Sequence, residues 1–284
     1  MAIEIHIDDG YAAALFAAGL NGFESLMRCR RGTPVSVHED RSATRLEVEV
    51  DGRRRELYLK RTLRQPATDL VRDLLLGRKP QARPVWEYTI CKRLEALGIP
   101  VMKAVGCGQR KRLLLPREGF VLVEAAPVRM TLEKAWRDRA DGRPRLAPRE
   151  RRRVIRAVAK VVARLHDAGF RWPDLVGKHI LLEAPETAEA TRNEWRLCLI
   201  DLERVETSRS EKLRQRDLTH LLKSMPARCV SRSDLLRFAM AYCGCEESSK
   251  PDRRRLIRQR FAWAARRLTR RSAAARKKAA GRPG

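Results

Sequence analysis

Apolar and polar residues alternate over residues 45–60, and this alternation predicts a pair of antiparallel strands. The apolar positions are Leu46, Val48, Val50, Leu57 and Leu59. Side chains of a strand point in turn to opposite faces of the sheet, so the pattern buries one face of each strand. Asp51-Gly52 lies between the two runs and is a favoured hairpin turn. Lys60 then ends the second strand on the face opposite Leu59.

The spacing of apolar residues changes to a helical period and predicts a helix from Val85 to Leu97 that ends before Gly98. Its apolar stripe consists of Trp86, Ile90, Leu94 and Leu97. Glu87 is followed by Cys91 and Leu94 at helical spacing, so its carboxylate can point inward at the edge of the stripe. Strands are predicted at residues 101–108 and 120–124, separated by a charged turn, and they complete a small sheet-rich lobe.

The second half of the chain has a mainly helical pattern. A polar, arginine-rich stretch over residues 138–153 resembles a linker, and apolar residues then recur with a helical period from Val154 to Leu165. Further helices are predicted at residues 216–225 and 234–242. We therefore expect an α+β fold with three parts. These are a small N-terminal lobe with an antiparallel sheet (residues 1–125), a larger helical lobe (126–250) and a basic helix or tail (251–284).

The charge balance is strongly basic, with 62 Lys and Arg residues against 35 Asp and Glu residues and a formal net charge of +27. Such a charge favours polyanions, among them nucleic acid, anionic lipid and phosphorylated glycans. An arginine-rich surface without a partner explains the excess equally well. Aromatic residues make up only 5% of the chain and no nucleic-acid-binding motif is recognisable, so we expect no specific nucleic acid.

Cysteine usage and the start of the chain indicate a cytoplasmic protein. The seven cysteines include no CxxC pair and predict neither a zinc site nor a disulfide framework. The first ten residues are acidic and lack the layout of a signal peptide. The apolar run over residues 11–20 is shorter than the about 20 residues of a membrane-spanning helix.

Four charged residues follow one another in an order typical of protein kinases. Lys60 ends a strand, Glu87 lies on a helix, Asp174 follows a buried helix, and Asp201 follows a short apolar strand. Phosphoryl transfer needs a cation on the donor phosphates, carboxylates for magnesium and a group that orients the attacking hydroxyl. Taken singly, each residue has an ordinary interpretation as a surface charge, a helix partner or a turn residue. Asp201 fits that interpretation least, because an unpaired carboxylate beside buried apolar residues is costly.

Four stretches of the chain resemble the lipopolysaccharide kinase family, which phosphorylates heptose or 3-deoxy-manno-octulosonic acid (Kdo) in the inner core. They are WEYTICKRLEALGIPVMKAVGCG from Trp86, LHDAGFRWPDLVGKHILL from Leu165, LIDLER from Leu199 and RDLTHLLKS from Arg216. They occur in the family's order, and the blocks around Asp174 and Asp201 are the specific ones. The resemblance implies a protein-kinase-like fold of two lobes and an ATP-dependent phosphotransferase.

The resemblance also implies residue roles. Lys60 would contact the α- and β-phosphates of ATP, and Glu87 would hold Lys60 in place. Asp174 would orient the attacking sugar hydroxyl, and Lys178 would steady the γ-phosphate.

Asp201 would bind magnesium. His179 stands where protein kinases have a metal-binding asparagine. Magnesium prefers oxygen ligands, so an imidazole there favours manganese or binds phosphate instead. A packed structural histidine is the other interpretation.

Two features depart from the protein-kinase pattern. Trp172-Pro173 precedes Asp174 in place of the usual His-Arg pair. Between residues 26 and 45 only Gly32 is available, so the chain has no glycine-rich phosphate loop. Backbone and arginine contacts would have to replace that loop.

The implied substrate is a core sugar on a lipid A precursor, which is a polyanion. We therefore expect peripheral binding to the anionic inner face of the inner membrane. A monomer is expected as a separate prediction. Phe261, Trp263 and Leu268 in the basic tail could insert there, or the tail could simply be solvated. Two other functions stay open: a kinase-like enzyme acting on a protein, an aminoglycoside or another small molecule, and a catalytically inactive basic binding protein.

Overall fold

A computed structural model describes the chain except for residues 76, 78, 114, 127, 138–144, 184–195, 226–228, 260 and 262–284. It divides into two compact units. The first comprises Met1–Val128 with Cys198–Val205, and the second comprises Arg129–Leu197 with Glu206–Gly284. The first part of the predicted linker, residues 138–144, and most of the basic tail lie outside the described residues.

The first unit is built on a six-stranded antiparallel sheet in the order β1-β5-β6-β4-β3-β2. The strands are β1 (Ala2–Ile7), β2 (Thr33–Val37), β3 (Arg41–Val50), β4 (Arg53–Thr62), β5 (Ala104–Arg112) and β6 (Leu115–Glu124). The helices of this unit are α1 (Asp9–Ala17), α2 (Phe23–Met27), α3 (Ala67–Leu75) and α4 (Arg83–Ala96).

The predicted hairpin is confirmed as β3 and β4, which pair from Arg41 opposite Thr62 to Val50 opposite Arg53. Asp51 and Gly52 have φ of 50° and 70°, the left-handed conformation that a two-residue hairpin turn requires. The predicted apolar positions are buried in a core that also contains Tyr11, Leu15, Phe23 and Leu26 from α1 and α2. This core covers one face of the sheet. Lys60 is next to buried Leu59 in the strand and therefore lies on the other face, as predicted.

Arg61 attaches the end of α2 to the sheet. Its guanidinium donates to the carbonyl oxygens of Met27 and Cys29 at 3.1 and 2.7 Å, and to the hydroxyls of Ser42 and Thr44 at 3.0 Å each. Burial lowers the pKa of Arg61, and the four hydrogen bonds offset the cost of removing its charge from water.

Helix α4 buries a different face from the predicted one. Its buried residues are Pro84, Glu87, Ile90, Cys91 and Leu94. Leu97, which was expected in the stripe, is 49% exposed, and the Trp86 indole donates to the carbonyl oxygen of Val205 at 2.9 Å. Glu87 thus lies in the middle of the buried face, and its expected position at the edge is wrong.

The charged turn expected between the strands at 101–108 and 120–124 is much shorter than predicted. Strand β5 continues to Arg112 and β6 begins at Leu115. The charged residues pair within the sheet, with Arg110 2.9 Å from Glu118 and Lys111 2.6 Å from Glu4. Cross-strand ion pairs allow strands to extend through a sequence that resembles a loop.

The second unit consists largely of helices. They are α5 (Leu132–Trp136), α6 (Pro148–Asp167), a 3-10 helix (Gly177–His179), α7 (Glu211–Ser224) and α8 (Arg232–Tyr242), followed by a helix over residues 250–259. The short strands are β7 (Val128–Thr131), β8 (Phe170–Arg171), β9 (Ile180–Glu183), β10 (Arg196–Leu199) and β11 (Glu206–Thr207). The unit boundaries fall within β7 and β10.

Helix α6 is the predicted buried helix, and it begins six residues earlier than the apolar pattern, at Pro148. Residues 148–153 are thus helical, and their assignment to the linker is wrong. Proline suits the first turn of a helix, where its missing N–H is not needed. Phe261 packs against Tyr242 with ring centres 5.5 Å apart. Trp263 and Leu268, the other expected membrane anchors, lie outside the described residues. Among the helices that the structure describes, none combines the length and apolar character needed to cross a bilayer.

Candidate active site

Lys60 and Glu87 form an ion pair in the first unit. Lys60 Nζ lies 2.7 Å from Glu87 Oε1, and the Glu87 side chain is only 3% exposed. Burial by itself would lower the pKa of Lys60, but the carboxylates of Glu87 and Asp201 outweigh burial and raise it. The ammonium group therefore stays charged and is held in one position, as a phosphate ligand must be.

Asp201 belongs to the same unit and approaches the same lysine, with Oδ1 3.9 Å from Lys60 Nζ. Its φ of 61° places it in the left-handed region, which aspartate tolerates better than most residues. The following N–H, that of Leu202, donates to Glu87 Oε1 at 3.3 Å. One oxygen of Glu87 thus binds both the lysine and the backbone beside Asp201, so three of the four residues in kinase order lie together.

Sequence reasoning missed a third carboxylate near this lysine, that of Glu203. Burial raises its pKa, and so do the nearby carboxylates of Glu87 and Asp201, against the opposing effect of Arg83 and Arg41. Arg41 Nη1 lies 3.3 Å from Glu203 Oε1. The available signal was its place in the LIDLER block, two residues after Asp201.

The other predicted site residues, Asp174, Lys178 and His179, lie on one short segment of the second unit. The Nδ1 atom of His179 lies 2.9 Å from the carbonyl oxygen of Asp174. A carbonyl only accepts, so Nδ1 carries the proton, and in the neutral ring Nε2 is then the nitrogen with a lone pair. Lys178 is exposed.

The 3-10 helix that carries Lys178 and His179 is fixed to α7 and α5. The N–H of Gly177 donates to the Ser224 hydroxyl at 2.8 Å. A Cβ at Gly177 would lie 2.7 Å from the sulfur of Met225 and 3.2 Å from Glu133, so only glycine fits without a shift.

A second missed residue, Asp217 on α7, anchors the chain just before Asp174. Its carboxylate is 1% exposed and accepts the N–H of Trp172 at 2.6 Å. The same oxygen lies 3.6 Å from His166 Nε2, and His166 Nδ1 lies 2.8 Å from the Tyr242 hydroxyl. His166 is thus part of the scaffold. The signal for Asp217 was an acidic residue within an apolar helical pattern.

Trp172 explains the departure from the usual His-Arg pair. Its side chain is fully buried and stacks on the His179 ring, with ring centres 6.2 Å apart and planes 20° from parallel. The tryptophan therefore packs the start of the Asp174 loop against His179.

No group of three or more His, Cys, Asp or Glu side chains arranged for a metal ion occurs in the part of the chain that the structure describes. Magnesium in phosphoryl-transfer sites takes one or two carboxylates and completes its shell with phosphate oxygens and water. Asp201, a partly exposed carboxylate beside Lys60, fits that kind of site.

The sequence model of the lipopolysaccharide kinase (Kdo/WaaP) family matches residues 8–242 of this chain. The chain belongs to this family. The resemblance seen in the sequence is confirmed, and the chain is a kinase of a lipopolysaccharide inner-core sugar. Among the alternatives, the family favours an enzyme of this class over a basic binding protein.

Two curated members of the family are similar over most of their length. The lipopolysaccharide core heptose(I) kinase WaaP of Pseudomonas aeruginosa is 29% identical over 202 residues, which are 69% of this chain and 72% of that protein. The protein of the same name from Escherichia coli K12 is 29% identical over 178 residues, 62% of this chain and 66% of that protein.

A solved structure described as WaaP in complex with acyl carrier protein has a TM-score of 0.66 and 25% identity to this chain. The match covers 94% of this chain and 98% of the other. The expected α+β, kinase-like fold is confirmed.

Proposed function

We propose that this kinase transfers the γ-phosphate of ATP to a hydroxyl of a heptose in the lipopolysaccharide inner core. The observation that carries the proposal is the cluster of Lys60, Glu87 and Asp201 in the first unit. The curated relatives are named heptose(I) kinases, which supports heptose over Kdo as the acceptor.

Lys60 is assigned to the donor phosphates. Its charge is secured by Glu87, whose second contact, to the Leu202 N–H, also fixes the backbone next to Asp201. Asp201 would hold magnesium, which supplies positive charge to the phosphate oxygens when it is bound. A change at Glu87 therefore disturbs both the lysine and the aspartate.

Asp174 is assigned to the attacking hydroxyl. The new bond forms between the heptose oxygen and the γ-phosphorus. At the same time the bond breaks between the γ-phosphorus and the oxygen that bridges the β- and γ-phosphates. The hydroxyl proton passes to the Asp174 carboxylate, and ADP leaves with its negative charge. Asp217 and His179 position the backbone on either side of Asp174, and Lys178 is assigned to the γ-phosphate.

The experiment offers purified enzyme ATP, magnesium and two deacylated core oligosaccharides, one with heptose and one ending at Kdo. Phosphorus NMR of the product is expected to show a new phosphomonoester on heptose only. Transfer of phosphate to the acceptor that ends at Kdo would show that Kdo, and not heptose, is the acceptor sugar. No transfer to either acceptor would overturn the proposed function.

We infer a peripheral membrane location from the charge. A protein of net charge +27 is attracted to anionic lipid by about 1 kcal/mol for each basic residue near the surface. The measurement compares co-sedimentation with anionic vesicles that contain phosphatidylglycerol and with neutral vesicles of phosphatidylcholine alone. We expect binding to the anionic vesicles that declines as salt is added, and equal sedimentation with both would contradict the inference.

We also infer an acyl carrier protein as a partner, as in the solved relative. The second unit contains a cavity lined mainly by apolar side chains, and we assign it to the acyl chain of that partner. Its lining includes Leu132, Trp136, Ile155, Val158, Leu221 and Phe238. We expect the acylated carrier protein to raise the melting temperature of the kinase more than the carrier protein without an acyl chain. Equal shifts would exclude the cavity as the acyl site.

A further inference from the structure

The absence of a glycine-rich loop raises the question of which group binds the terminal phosphates. In protein kinases that loop precedes the lysine strand and covers the phosphates. Here the hairpin of β2 and β3 precedes the lysine strand β4, and residues 38–40 join its strands. None of these three residues is glycine. The first residue after them is Arg41.

The register of the sheet places Arg41 on the same face as Lys60. Ala43 lies opposite Lys60, and Arg41 lies opposite Thr62. Directly opposed residues share a face, and so do residues two apart in one strand. Arg41 therefore lies two residues, or about 7 Å, along β3 from Ala43, the residue opposite Lys60.

Backbone hydrogen bonds hold the start of this strand in place. The N–H of His38 donates to the carbonyl of Arg41 at 2.8 Å, and the N–H of Leu63 donates to the carbonyl of Asp40 at 2.7 Å. The base of the Arg41 side chain is thus fixed, while 42% of the side chain remains exposed. A long side chain on a fixed base can move its charged end without moving the sheet.

Glu203 currently holds the charged end of Arg41, with 3.3 Å between Nη1 and Oε1. The Arg41 Nε–H is buried and makes no hydrogen bond; the nearby Asp40 carboxylate is 3.9 Å away. The guanidinium therefore binds Glu203 through one of its edges and leaves part of its donor set unused. A phosphate with several oxygens can engage more of these donors than one carboxylate oxygen does.

Glu203 stands where charge is already crowded. Its neighbours include the carboxylates of Glu87 and Asp201, and Lys60 is also within electrostatic range. The local excess of negative charge is tolerable while Arg41 is paired with Glu203. Carboxylates and phosphates are recognised by guanidinium groups through the same geometry, so Glu203 can stand in for a phosphate.

We propose that Arg41 is a phosphate-binding residue of the nucleotide site, and that Glu203 occupies its guanidinium until the triphosphate of ATP displaces it. This inference rests on the proposed function, because it assigns a further residue to the same ATP site. Arg41 then takes the role that backbone N–H groups have in a glycine-rich loop. Glu203 competes with ATP for Arg41.

The test measures the dissociation constants of ATP and adenosine by calorimetry with the full chain. The Arg41→Ala variant is expected to bind ATP about 10- to 100-fold more weakly, the range for losing charge-assisted hydrogen bonds, and to bind adenosine like the unaltered enzyme. Arg41→Lys keeps the positive charge but not the planar guanidinium with its several donors, so it should recover part of the lost ATP affinity. Arg28→Ala, which removes an arginine that is 82% exposed on the same unit, is the matched control and should change neither constant.

The Glu203→Gln variant tests the competition. Glutamine removes the negative charge from the partner of Arg41, so ATP is expected to bind several-fold more tightly, and this gain should vanish in the Arg41→Ala, Glu203→Gln double variant. Unchanged or weaker ATP binding by Glu203→Gln would overturn the displacement model. Equal loss of ATP and adenosine affinity in Arg41→Ala would show a structural role and overturn the phosphate assignment.

The two proposals fail in different ways. An unaltered enzyme that binds no ATP would refute the proposed function itself. An enzyme that binds ATP and phosphorylates heptose, but whose ATP affinity does not respond to Arg41→Ala, would refute only this inference.

Discussion

Asp217 accepts the backbone N–H of Trp172 at 2.6 Å, and both side chains are almost completely buried. This bond joins α7 to the loop that carries Asp174, two residues further along the chain. A buried carboxylate in that position is costly unless it receives hydrogen bonds, and Trp172 supplies one. The relationship makes Asp217 a positioning residue.

We expect Asp217→Ala to lower the free energy of unfolding by about 1–3 kcal/mol, because the buried N–H of Trp172 loses its acceptor. Urea unfolding followed by circular dichroism measures the change. Asp217→Asn retains a carbonyl oxygen that can accept the bond, so it should recover part of the stability. Asp252→Ala, at a carboxylate that is 52% exposed, is the control.

If Asp217 also positions Asp174, then kcat falls in Asp217→Ala under conditions where the variant is fully folded, while the ATP affinity stays near that of the unaltered enzyme. An unchanged kcat in folded Asp217→Ala would limit the role of this carboxylate to stability.

Asp201 and Asp174 are each expected to be essential for turnover but not for folding. Asp201→Asn suits this test, because asparagine also tolerates the left-handed φ of 61° at this position, whereas alanine adds backbone strain. We expect both Asp201→Asn and Asp174→Asn to lower kcat at least about 100-fold.

The melting temperature is measured for the same two variants and is expected to stay within a few degrees of the unaltered enzyme. Ordinary turnover by either variant would remove that residue from the catalytic set. Glu211→Gln, at an exposed carboxylate on the surface of α7, provides the comparison and should leave kcat unchanged.

Glu87→Gln is expected to reduce activity more through ATP binding than through stability. The amide can still accept the N–H of Leu202, but it no longer holds Lys60 by charge. Lys60 then keeps Asp201 as its neighbouring carboxylate, and the resulting pair neutralises the group assigned to magnesium. We therefore expect a higher KM for ATP and a higher magnesium requirement. A loss of activity without a change in the KM for ATP or in the magnesium requirement would contradict this role of Glu87.

Local patterns were sufficient to predict the hairpin and the face on which Lys60 lies. The period of two and the Asp51-Gly52 turn are set by neighbouring residues, and the structure confirms both. The position of Glu87 was predicted less well, because its burial depends on Lys60, which is 27 residues away. A pattern of apolar residues cannot show that a carboxylate will be buried by pairing.

Two contacts of the site that the sequence did not reveal join distant segments. Arg41 meets Glu203 across 162 residues, and Asp217 meets Trp172 across 45. Both acidic residues stand in stretches that resemble the family, yet neither stretch contains its partner. The kinase order of residues identified the chemistry, and the scaffold around it became visible only with the tertiary contacts.

We expect Asp234 to make the second unit sensitive to acid. It accepts hydrogen bonds from Arg151 at 2.7 Å and from the Ser231 N–H at 3.0 Å, at the start of α8. Burial alone would raise the pKa of Asp234, but these hydrogen bonds and the charge of Arg151 outweigh burial and lower it from its ordinary value of 3.8. The carboxylate is therefore harder to protonate in the folded chain than in the unfolded chain, and acid favours unfolding.

The contribution of Asp234 is fully present well above pH 3.8 and is lost as the pH falls through the lower folded value. We expect Asp234→Asn to be less stable than the unaltered enzyme at pH 7, and the difference to shrink as the pH is lowered below about 4. Urea unfolding at a series of pH values measures both curves. Asp167→Asn, at a carboxylate that is 58% exposed, is the control. A gap between Asp234→Asn and the unaltered enzyme that stays constant down to pH 3 would show that Asp234 stabilises α8 without any contribution from its charge.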